Sequence, residues 1–245
     1  TVDAGFRRSN SGGRQLSRQE LRAAGATDAF ADCVRQISAR VRGDTSNTDL
    51  LLLGEMRKIS ITNRELDYGI SADGVFWVAH GVLTKDQLRQ SRDEEMVADL
   101  VAYMVSDEPV PSRTELFDDY YGATFPETVT SKARFDAVDH AVRKRSPELV
   151  DLDYQRVQDA LILLLSQADT TFTGLIFPNG NGGNPVPRYF QAVFLALYDL
   201  IVRRSMVVSN SAGHFACLTD CGKNIELQDG GRWGADNRGK TVNSV

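Results

Sequence analysis

The stretch that decides the fold class is DLDYQRVQDALILLLSQA, which occupies residues 151–168. Its apolar side chains recur at helical spacing, and around its centre they cover nearly the whole circumference. That pattern is typical of a helix buried in a protein core. Residues 187–204 show a similar wide apolar face and begin with Pro187, which suits the first position of a helix. These two stretches predict a mainly α-helical fold.

Further helices are predicted on the N-terminal side of this pair. Apolar residues within 27–42 fall at helical spacing, and Gly43 is well placed to end that helix. Residues 91–105 carry one apolar stripe, and residues 130–145 carry a less apolar face. Helix starts are marked by capping boxes, in which each of two side chains satisfies a free backbone N–H of the other residue. The boxes are Ser17/Glu20, Thr62/Glu65, Ser91/Glu94 and Ser112/Glu115.

Three segments depart from the helical pattern. Residues 75–78 and 206–227 are expected to be minor β or irregular pieces. The sequence FPNGNGGNP, residues 177–185, is full of turn-forming residues and predicts a long exposed connector. A functional loop is the alternative there, although a Walker phosphate loop is excluded because no Gly-Lys-Ser/Thr follows.

Composition narrows the class of protein. The chain has 245 residues, of which 42% are hydrophobic and 25% are charged, as is ordinary for a soluble globular protein. No apolar run reaches the roughly 18 residues that a membrane span needs, so no membrane partner is expected. Three cysteines do not suggest a disulfide framework, and a cytoplasmic location is therefore expected.

One group of possible metal ligands stands near the C-terminal end. Cys217 and Cys221 are four residues apart, and His214 precedes them. A zinc site normally needs four ligands, often as two close pairs. The other histidines are His80 and His140, so a second close pair is missing. Buried thiols are expected in place of a metal site, and no cofactor is expected within this chain.

The strongest candidate site is FRRSNSGGRQL, residues 6–16. The net charge of the chain is −5, yet residues 1–22 contain five arginines and carry a local balance of +3. An Asn-Ser-Gly-Gly turn exposes consecutive backbone N–H groups, and the planar guanidinium of arginine matches phosphate oxygens. A solvated helix start without a ligand is the alternative interpretation. The predicted phosphate- or nucleotide-binding residues are Arg7, Arg8, Asn10, Gly12, Gly13 and Arg14.

Recognisable hydrolase motifs are absent from the sequence. It contains neither a Gly-x-Ser-x-Gly elbow nor a His-Glu-x-x-His zinc motif, and its histidines are isolated. The acidic clusters at residues 93–95 and 118–119 are predicted to be solvated faces, or first-turn acids that the helix dipole favours. Catalytic residues are therefore unknown, and a self-contained hydrolase is disfavoured.

The start of the chain resembles the N-terminal, ParB-like domain family of GmrSD-type, modification-dependent restriction systems. The family pattern is Phe-x-Arg-apolar-Asn-x-Gly-Gly, a short gap, and Leu-Ser/Asn-x-Gln-Glu-Leu-Arg. Ser9 departs from it, since an apolar residue is usual at that position. Weaker similarities are PRYFQAVFLA, residues 187–196, and the tail Arg238–Val245. The residues that match the main pattern are Phe6, Arg8, Asn10, Gly12, Gly13, Leu16, Ser17, Gln19, Glu20, Leu21 and Arg22.

The resemblance implies a domain organisation. Residues 1–22 would be the closing loop and helix start of a ParB-like α+β domain, and residues 23–245 the multi-helix domain that follows. A subdivision near residues 109–150 is an option. The family's Asp-Gly-Gln-Gln-Arg motif is absent and the sequence does not begin with methionine, so we expect an internal segment of a longer protein.

The resemblance also implies a function. The parent protein would act in DNA restriction and phage defence, with DNA and an HNH-type nuclease domain or subunit as partners. A nucleoside triphosphate with Mg would be bound by the full protein, and its pocket would be bordered by Phe6, Arg8, Asn10, Gly12 and Gly13. The chain itself would contribute this loop and a helical scaffold without being catalytic alone. The alternative is a noncatalytic interaction module whose wide apolar helices dock a partner subunit, with a purely structural arginine loop.

Overall fold

The computed structural model describes residues 16–44, 61–62, 70–107, 110–207, 218–219 and 221–223. This part of the chain is mainly helical, which confirms the predicted fold class in its coarse form. Its α-helices, in chain order, are α1 (Arg18–Ala23), α2 (Ala29–Arg42), α3 (Phe76–Ala79), α4 (Lys85–Arg89), α5 (Arg92–Val105), α6 (Thr114–Tyr120), α7 (Val129–Arg145), α8 (Pro147–Gln167), α9 (Phe172–Ile176) and α10 (Pro187–Tyr198).

Short elements accompany the helices. A 3₁₀ turn at Ala72–Gly74 precedes α3, and a π-helical turn at Asp199–Arg203 continues α10. Two strands of two residues each, β1 (Ile61–Thr62) and β2 (Ile70–Ser71), pair in parallel, with the first residue of one opposite the first residue of the other. These strands are too short to form a layer of their own.

Four helices surround the core. Both α2 and α10 pack against α5 and α8, so the four form a closed ring of neighbours. Each contributes fully buried apolar side chains, such as Val34 from α2, Leu100 from α5, Leu161 from α8 and Phe194 from α10. The helices α1, α6 and α7 lie against the outside of this ring, with α1 against α5 and α7 against α2.

Aromatic side chains join the smaller helices to the ring. The ring of Phe190 in α10 lies 5.0 Å from Trp77 in α3 and 5.5 Å from Phe172 in α9, measured between centroids. Both contacts are edge-on, the geometry that aromatic pairs prefer. Tyr154 of α8 lies 4.7 Å from Phe194 and links the two helices that the sequence marked as most apolar.

The prediction of a β or irregular piece at residues 75–78 is wrong. Phe76–Ala79 is a helical turn, α3, in which Trp77 is fully buried. Bulky and β-branched residues favour a strand locally, but packing of Trp77 against Phe190 decides the conformation here. Of the second such piece, residues 206–227, Leu218 and Thr219 are helical, and most of the remainder lies outside the described residues.

The long predicted helices are confirmed, with sharper ends. Helix α2 begins after Asp28, whose side chain accepts a hydrogen bond from the Ala31 N–H, and it ends at Gly43 with a left-handed φ of 71°. Helix α8 starts earlier than expected, at Pro147. It is also not buried all round, because Ile162 and Leu163 are 41% and 49% exposed.

Of the four predicted capping boxes, one is confirmed, two are wrong and one lies partly outside the described residues. The Ser17/Glu20 box is present, while Thr62/Glu65 lies partly outside the described residues. Ser91 and Ser112 do not cap through their side chains: α5 follows a left-handed Ser91, and α6 begins after Arg113. Glu94 is held by Arg42 at 2.9 Å instead of reaching back to its own helix start. Two further capping boxes were not predicted, because their third helical residue is not glutamate. They pair Thr84 with Gln87 and Thr128 with Ser131.

The connector at residues 177–185 is confirmed as an exposed turn segment. Asn181 and Asn184 each donate a side-chain hydrogen bond to the other's backbone carbonyl, which closes the loop on itself. Across the part of the chain that the structure describes, no helix combines the length and apolarity needed to cross a bilayer.

Candidate functional site

The predicted phosphate loop lies outside the described residues. This applies to Arg7, Arg8, Asn10, Gly12, Gly13 and Arg14. The structure does describe the segment that follows the loop, beginning at Leu16, and it shows how that segment is attached to the helical body.

Attachment begins with a complete capping box at α1. The Ser17 hydroxyl accepts a hydrogen bond from the Glu20 N–H at 3.2 Å, and the Glu20 carboxylate accepts one from the Ser17 N–H at 2.6 Å. Each partner satisfies a backbone donor that a helix start would leave open. The direction in which the chain enters α1 is therefore set at Ser17.

Arg22 is the anchor of α1. Its side chain is 1% exposed, and it donates to the Glu95 carboxylate at 2.9 Å, to the Asp118 carboxylate at 2.6 Å and to the Thr114 carbonyl at 2.8 Å. The guanidinium also lies 5.5 Å from the centre of the Phe117 ring. A buried charge is tolerated only where such partners compensate it. Arg22 thus ties α1 to α5 and to α6.

Asp118 joins a second arginine to the anchor. Arg18 donates to the same carboxylate through Nε and Nη2, alongside the bond from Arg22. Partial burial opposes ionisation of Asp118, but the hydrogen bonds from both arginines outweigh burial and hold the pKa of Asp118 below its usual range. Two of the five arginines in the basic segment are therefore paired with protein carboxylates.

The start of α5 holds a parallel arrangement. Asp93 is fully buried and accepts two hydrogen bonds from Arg42, each 2.6 Å long, from Nε and Nη2. The Arg42 guanidinium also meets Glu94 at 2.9 Å. Burial raises the pKa of Glu94, with Arg42 opposing the shift. This two-bond ion pair links α2 to α5 through Arg42 and Asp93, which are 51 residues apart in sequence.

The prediction for the acidic clusters is partly wrong. Residues 93–95 do lie in the first turn of α5, as the dipole argument favoured. They are not a solvated face, since Asp93 and Glu95 are buried, and Asp119 is buried as well. Asp119 accepts hydrogen bonds from Arg134 at 2.6 Å and from Thr124 at 2.5 Å. Arginines and a hydroxyl from other parts of the chain supply the partners that solvent would otherwise provide.

Cys33 and His80 are two chemically active side chains that the structure buries at least in part. Burial raises the pKa of the Cys33 thiol to about 12, so little thiolate forms near neutral pH. The His80 ring lies 4.6 Å from the Phe76 ring in a tilted contact, and it accepts a hydrogen bond from the Phe172 N–H at 3.4 Å. Burial lowers the pKa of His80. Within the described ranges, no three His, Cys, Asp or Glu side chains are grouped to hold a metal ion. Cys217 and His214 fall outside those ranges.

A cleft of about 250 Å³ opens beside the anchor, between the N-terminal ends of α5 and α10. Arg92 and Arg188 line it from these two helices, and Glu95 contributes to the same wall. Ser112 lines it from the segment that leads into α6, and Thr114 lines it from the first position of that helix. The cleft gathers two guanidiniums and two hydroxyls around one carboxylate.

A larger cleft of about 440 Å³ lies between the segment that leads into α2, the end of α6 and helix α7. Three of its four acidic side chains, Asp28, Asp119 and Asp139, already have partners within the protein. Asp28 caps α2, and Asp139 accepts from the Ala29 N–H at 2.7 Å and from Arg143 at 2.7 Å. Asp119 is held by Arg134, as described above. These carboxylates stabilise the junction of the helices.

Sequence patterns did not identify the groups that the structure brings together. Arg22 stood in the matched family pattern, and Arg188 in the weaker one, but neither was assigned a role. Arg92, Glu95 and Asp118 carried no signal beyond membership of a charged run. Their partners lie far away in sequence, at separations such as 73 residues for Arg22 and Glu95.

No known protein family matches the chain, and neither do curated proteins or solved structures.

Proposed function

We propose that this chain is part of a ParB-like, GmrSD-related protein of a DNA restriction and phage-defence system. It contributes a phosphate- or nucleotide-binding loop at residues 7–14 and a helical scaffold that carries this loop. The proposal rests on the sequence resemblance of residues 6–22. The observation that supports the scaffold role is the buried anchor of Arg22 on Glu95 and Asp118.

The anchor matters because of its position in the chain. The loop is followed by α1 after only a few residues, and α1 is held to α5 and α6 by Arg22. A binding loop performs best when rigid elements hold its ends. Arg18 and Arg22 are committed to carboxylates, so Arg7, Arg8 and Arg14 are the arginines of the segment that we assign to phosphate.

The chemistry of the full protein extends beyond this chain. In the proposal, Arg8, Arg14 and Asn10 contact phosphate oxygens of a nucleoside triphosphate with Mg, and Arg7 assists. The groups that activate water come from another part of the parent protein. DNA and an HNH-type nuclease domain or subunit are the partners that receive the nucleotide-dependent signal.

The test uses the full-length protein with Arg8→Ala. We expect loss of nucleotide hydrolysis or of DNA restriction with an unchanged unfolding temperature. Arg143→Ala is the matched control, since it removes an exposed arginine from α7 whose partner Asp139 lies 2.7 Å away. Full activity of the Arg8→Ala protein, equal to that of the control, refutes the assignment.

A second candidate function is supported by the exposed side of α8. Leu149, Leu152 and Leu163 are 53%, 41% and 49% exposed. Their spacing places them on one face of the helix. This face favours a noncatalytic interaction module that docks a partner subunit through apolar contacts.

Salt dependence separates the two functions. Binding of phosphate groups or DNA weakens steeply as salt rises, because counterions compete for the arginines. Docking of an apolar face is largely insensitive to salt. A partner that stays bound at high salt and is lost on Leu152→Ser/Leu163→Ser supports the interaction module.

A further inference from the structure

We propose that helix α8 pairs with α8 of a second copy of this chain, antiparallel and around a two-fold axis. The inference rests on the second candidate function above, the interaction module, and names its partner. Helix α8 runs from Pro147 to Gln167. Its inner side packs on α2 and α10, so its outer side is the part that another molecule can reach.

The outer side of α8 carries one continuous stripe of exposed side chains. Its members are Leu149, Leu152, Arg156, Asp159 and Leu163. With 3.6 residues in each helical turn, these five positions lie within about 80° of one another around the helix axis. They follow one another at steps of three and four residues in alternation, which is the spacing of a seam between two paired helices.

The stripe is complementary to itself when its direction is reversed. The steps from Leu152 to Arg156, to Asp159 and to Leu163 are four, three and four residues, and they read the same from either end. In an antiparallel pair centred between Arg156 and Asp159, the arginine of each copy faces the aspartate of the other, and Leu152 faces Leu163. Each contact then occurs twice, as a two-fold interface requires. This centre lies within one residue of the middle of α8, so the pairing uses the whole helix.

The charges favour the antiparallel arrangement and a second copy as the partner. In a parallel pair, Arg156 would face Arg156 and Asp159 would face Asp159, and like charges placed opposite each other repel. Reversal of one helix converts both contacts into attractive ones. Another α8 therefore matches this stripe both in its charges and in the placement of its leucines.

The two charged groups can form this contact without breaking the existing structure. Asp159 is exposed, and within the described part of the chain it has no hydrogen-bond or ion-pair partner. The Arg156 side chain is 60% exposed, and its described hydrogen bond runs from Nη1 to Asp153 at 3.3 Å. A guanidinium has five N–H groups, so others remain for a second carboxylate. Asp153 keeps a partner in any case, because Arg145 donates to its other oxygen at 2.6 Å.

The expected dimer is weak. One pair of 21-residue helices lies at the low end of specific interfaces in size. Burial of the leucines stabilises the pair, and the two ion pairs fix its direction and register. The dilute chain is therefore monomeric, and unfolding of dilute protein measures the stability of a single copy.

Sedimentation equilibrium of the whole chain over a hundredfold range of concentration tests the pairing. We expect reversible dimers of the wild type and at least a tenfold rise in Kd for Arg156→Asp, which opposes two carboxylates at both symmetric contacts. Arg156→Asp/Asp159→Arg reverses both charges and should bring Kd back to within threefold of the wild type. Failure of this recovery overturns the proposed register.

A matched control and an apolar variant locate the interface. Arg143→Asp makes the same charge change at a position on α7 where the side chain is also 60% exposed, and it should leave Kd within twofold. Leu152→Ser/Leu163→Ser should abolish dimers. An equal loss in the Arg143→Asp variant, or dimers that persist in the serine variant, would overturn the assignment to α8.

Cysteine pairs test the antiparallel direction. A mixture of Leu152→Cys and Leu163→Cys chains should form disulfide-linked dimers under mild oxidation. Either variant alone should form no more of them than the wild type, whose own cysteines set the baseline. The Cα atoms of a disulfide are usually about 4.4–6.8 Å apart, so only facing positions are bridged. Linking of either variant alone to the extent seen in the mixture would show a parallel pair and contradict the proposal.

The outcomes separate this inference from the function on which it rests. A wild-type chain that stays monomeric over the whole concentration range overturns the self-pairing. If a different partner subunit is then still lost on Leu152→Ser/Leu163→Ser, the interaction module stands without it.

Discussion

Arg22 and Glu95 form an ion pair of 2.9 Å across 73 residues of sequence, and the arginine side chain in it is 1% exposed. The pair connects the segment that follows the predicted phosphate loop to the start of α5. Because both groups have left bulk water, their value depends on remaining together. Predictions about stability therefore begin with this pair.

Replacement of Arg22 by methionine should destabilise the fold strongly. It keeps much of the side chain's volume but leaves Glu95 and Asp118 without a buried partner, a loss typically of about 3–5 kcal/mol. Urea unfolding measures the change. Arg18→Met is the control, since that side chain is 53% exposed and exposed pairs contribute less than about 1 kcal/mol. Equal losses in the two variants would refute the anchor.

Acid should weaken the fold through Asp118. The pKa of Asp118 is held below its usual range in the folded protein by Arg18 and Arg22. A carboxyl with a depressed folded pKa stabilises the protein above its unfolded pKa, about 3.9, and loses that contribution as pH falls through the folded pKa. Urea midpoints measured from neutral pH downward should fall less steeply for Asp118→Asn. Parallel curves for the two proteins would contradict this prediction.

Gly81→Ala should destabilise the fold by more than the left-handed backbone conformation of Gly81 alone explains. Gly81 has a φ of 69°, and an added Cβ would collide with the Thr173 hydroxyl, which donates to the His80 carbonyl at 3.0 Å. Left-handed backbone costs an alanine roughly 1–2 kcal/mol. Gly183→Ala isolates that part, since Gly183 has a φ of 76° and open space around it. Thermal unfolding should show the larger loss at Gly81 and partial recovery in Gly81→Ala/Thr173→Ala.

Two leucines of α8 should respond differently to truncation. Leu161 is fully buried, and Leu161→Ala should cost about 2–5 kcal/mol because it leaves a cavity. Leu163 is 49% exposed, and Leu163→Ala should change the unfolding free energy by about 0.5 kcal/mol or less. Chemical denaturation compares the two. Similar losses would show that α8 is covered on both sides in solution.

Local pattern was sufficient for the long helices and for the cap of α1. The apolar spacing in residues 27–42 and 151–168 predicted α2 and α8, and Ser17/Glu20 predicted the cap of α1. Each signal arises from residues within a few positions of one another, because helical hydrogen bonds and side-chain neighbours are three or four residues apart.

Long-range contacts explain the failures. Residues 75–78 carried a strand-like composition, but Trp77 packs against Phe190 and forms part of helix α3 instead. The acids at the start of α5 looked solvated because their partners, Arg22 and Arg42, lie on other helices. A capping pattern at Ser91/Glu94 failed for the same reason, since Arg42 holds Glu94.

The same distinction between local sequence and long-range contacts applies to the candidate sites. Sequence by itself determined the basic, glycine-rich character of residues 6–16 and the helical class of the chain, since both follow from residue type and local spacing. Only the tertiary structure decided which arginines are paired with carboxylates. It also decided that Arg92 and Arg188, from different helices, line one cleft. The physical reason is that charge pairing and cavity formation depend on distances between helices, and local periodicity does not contain those distances.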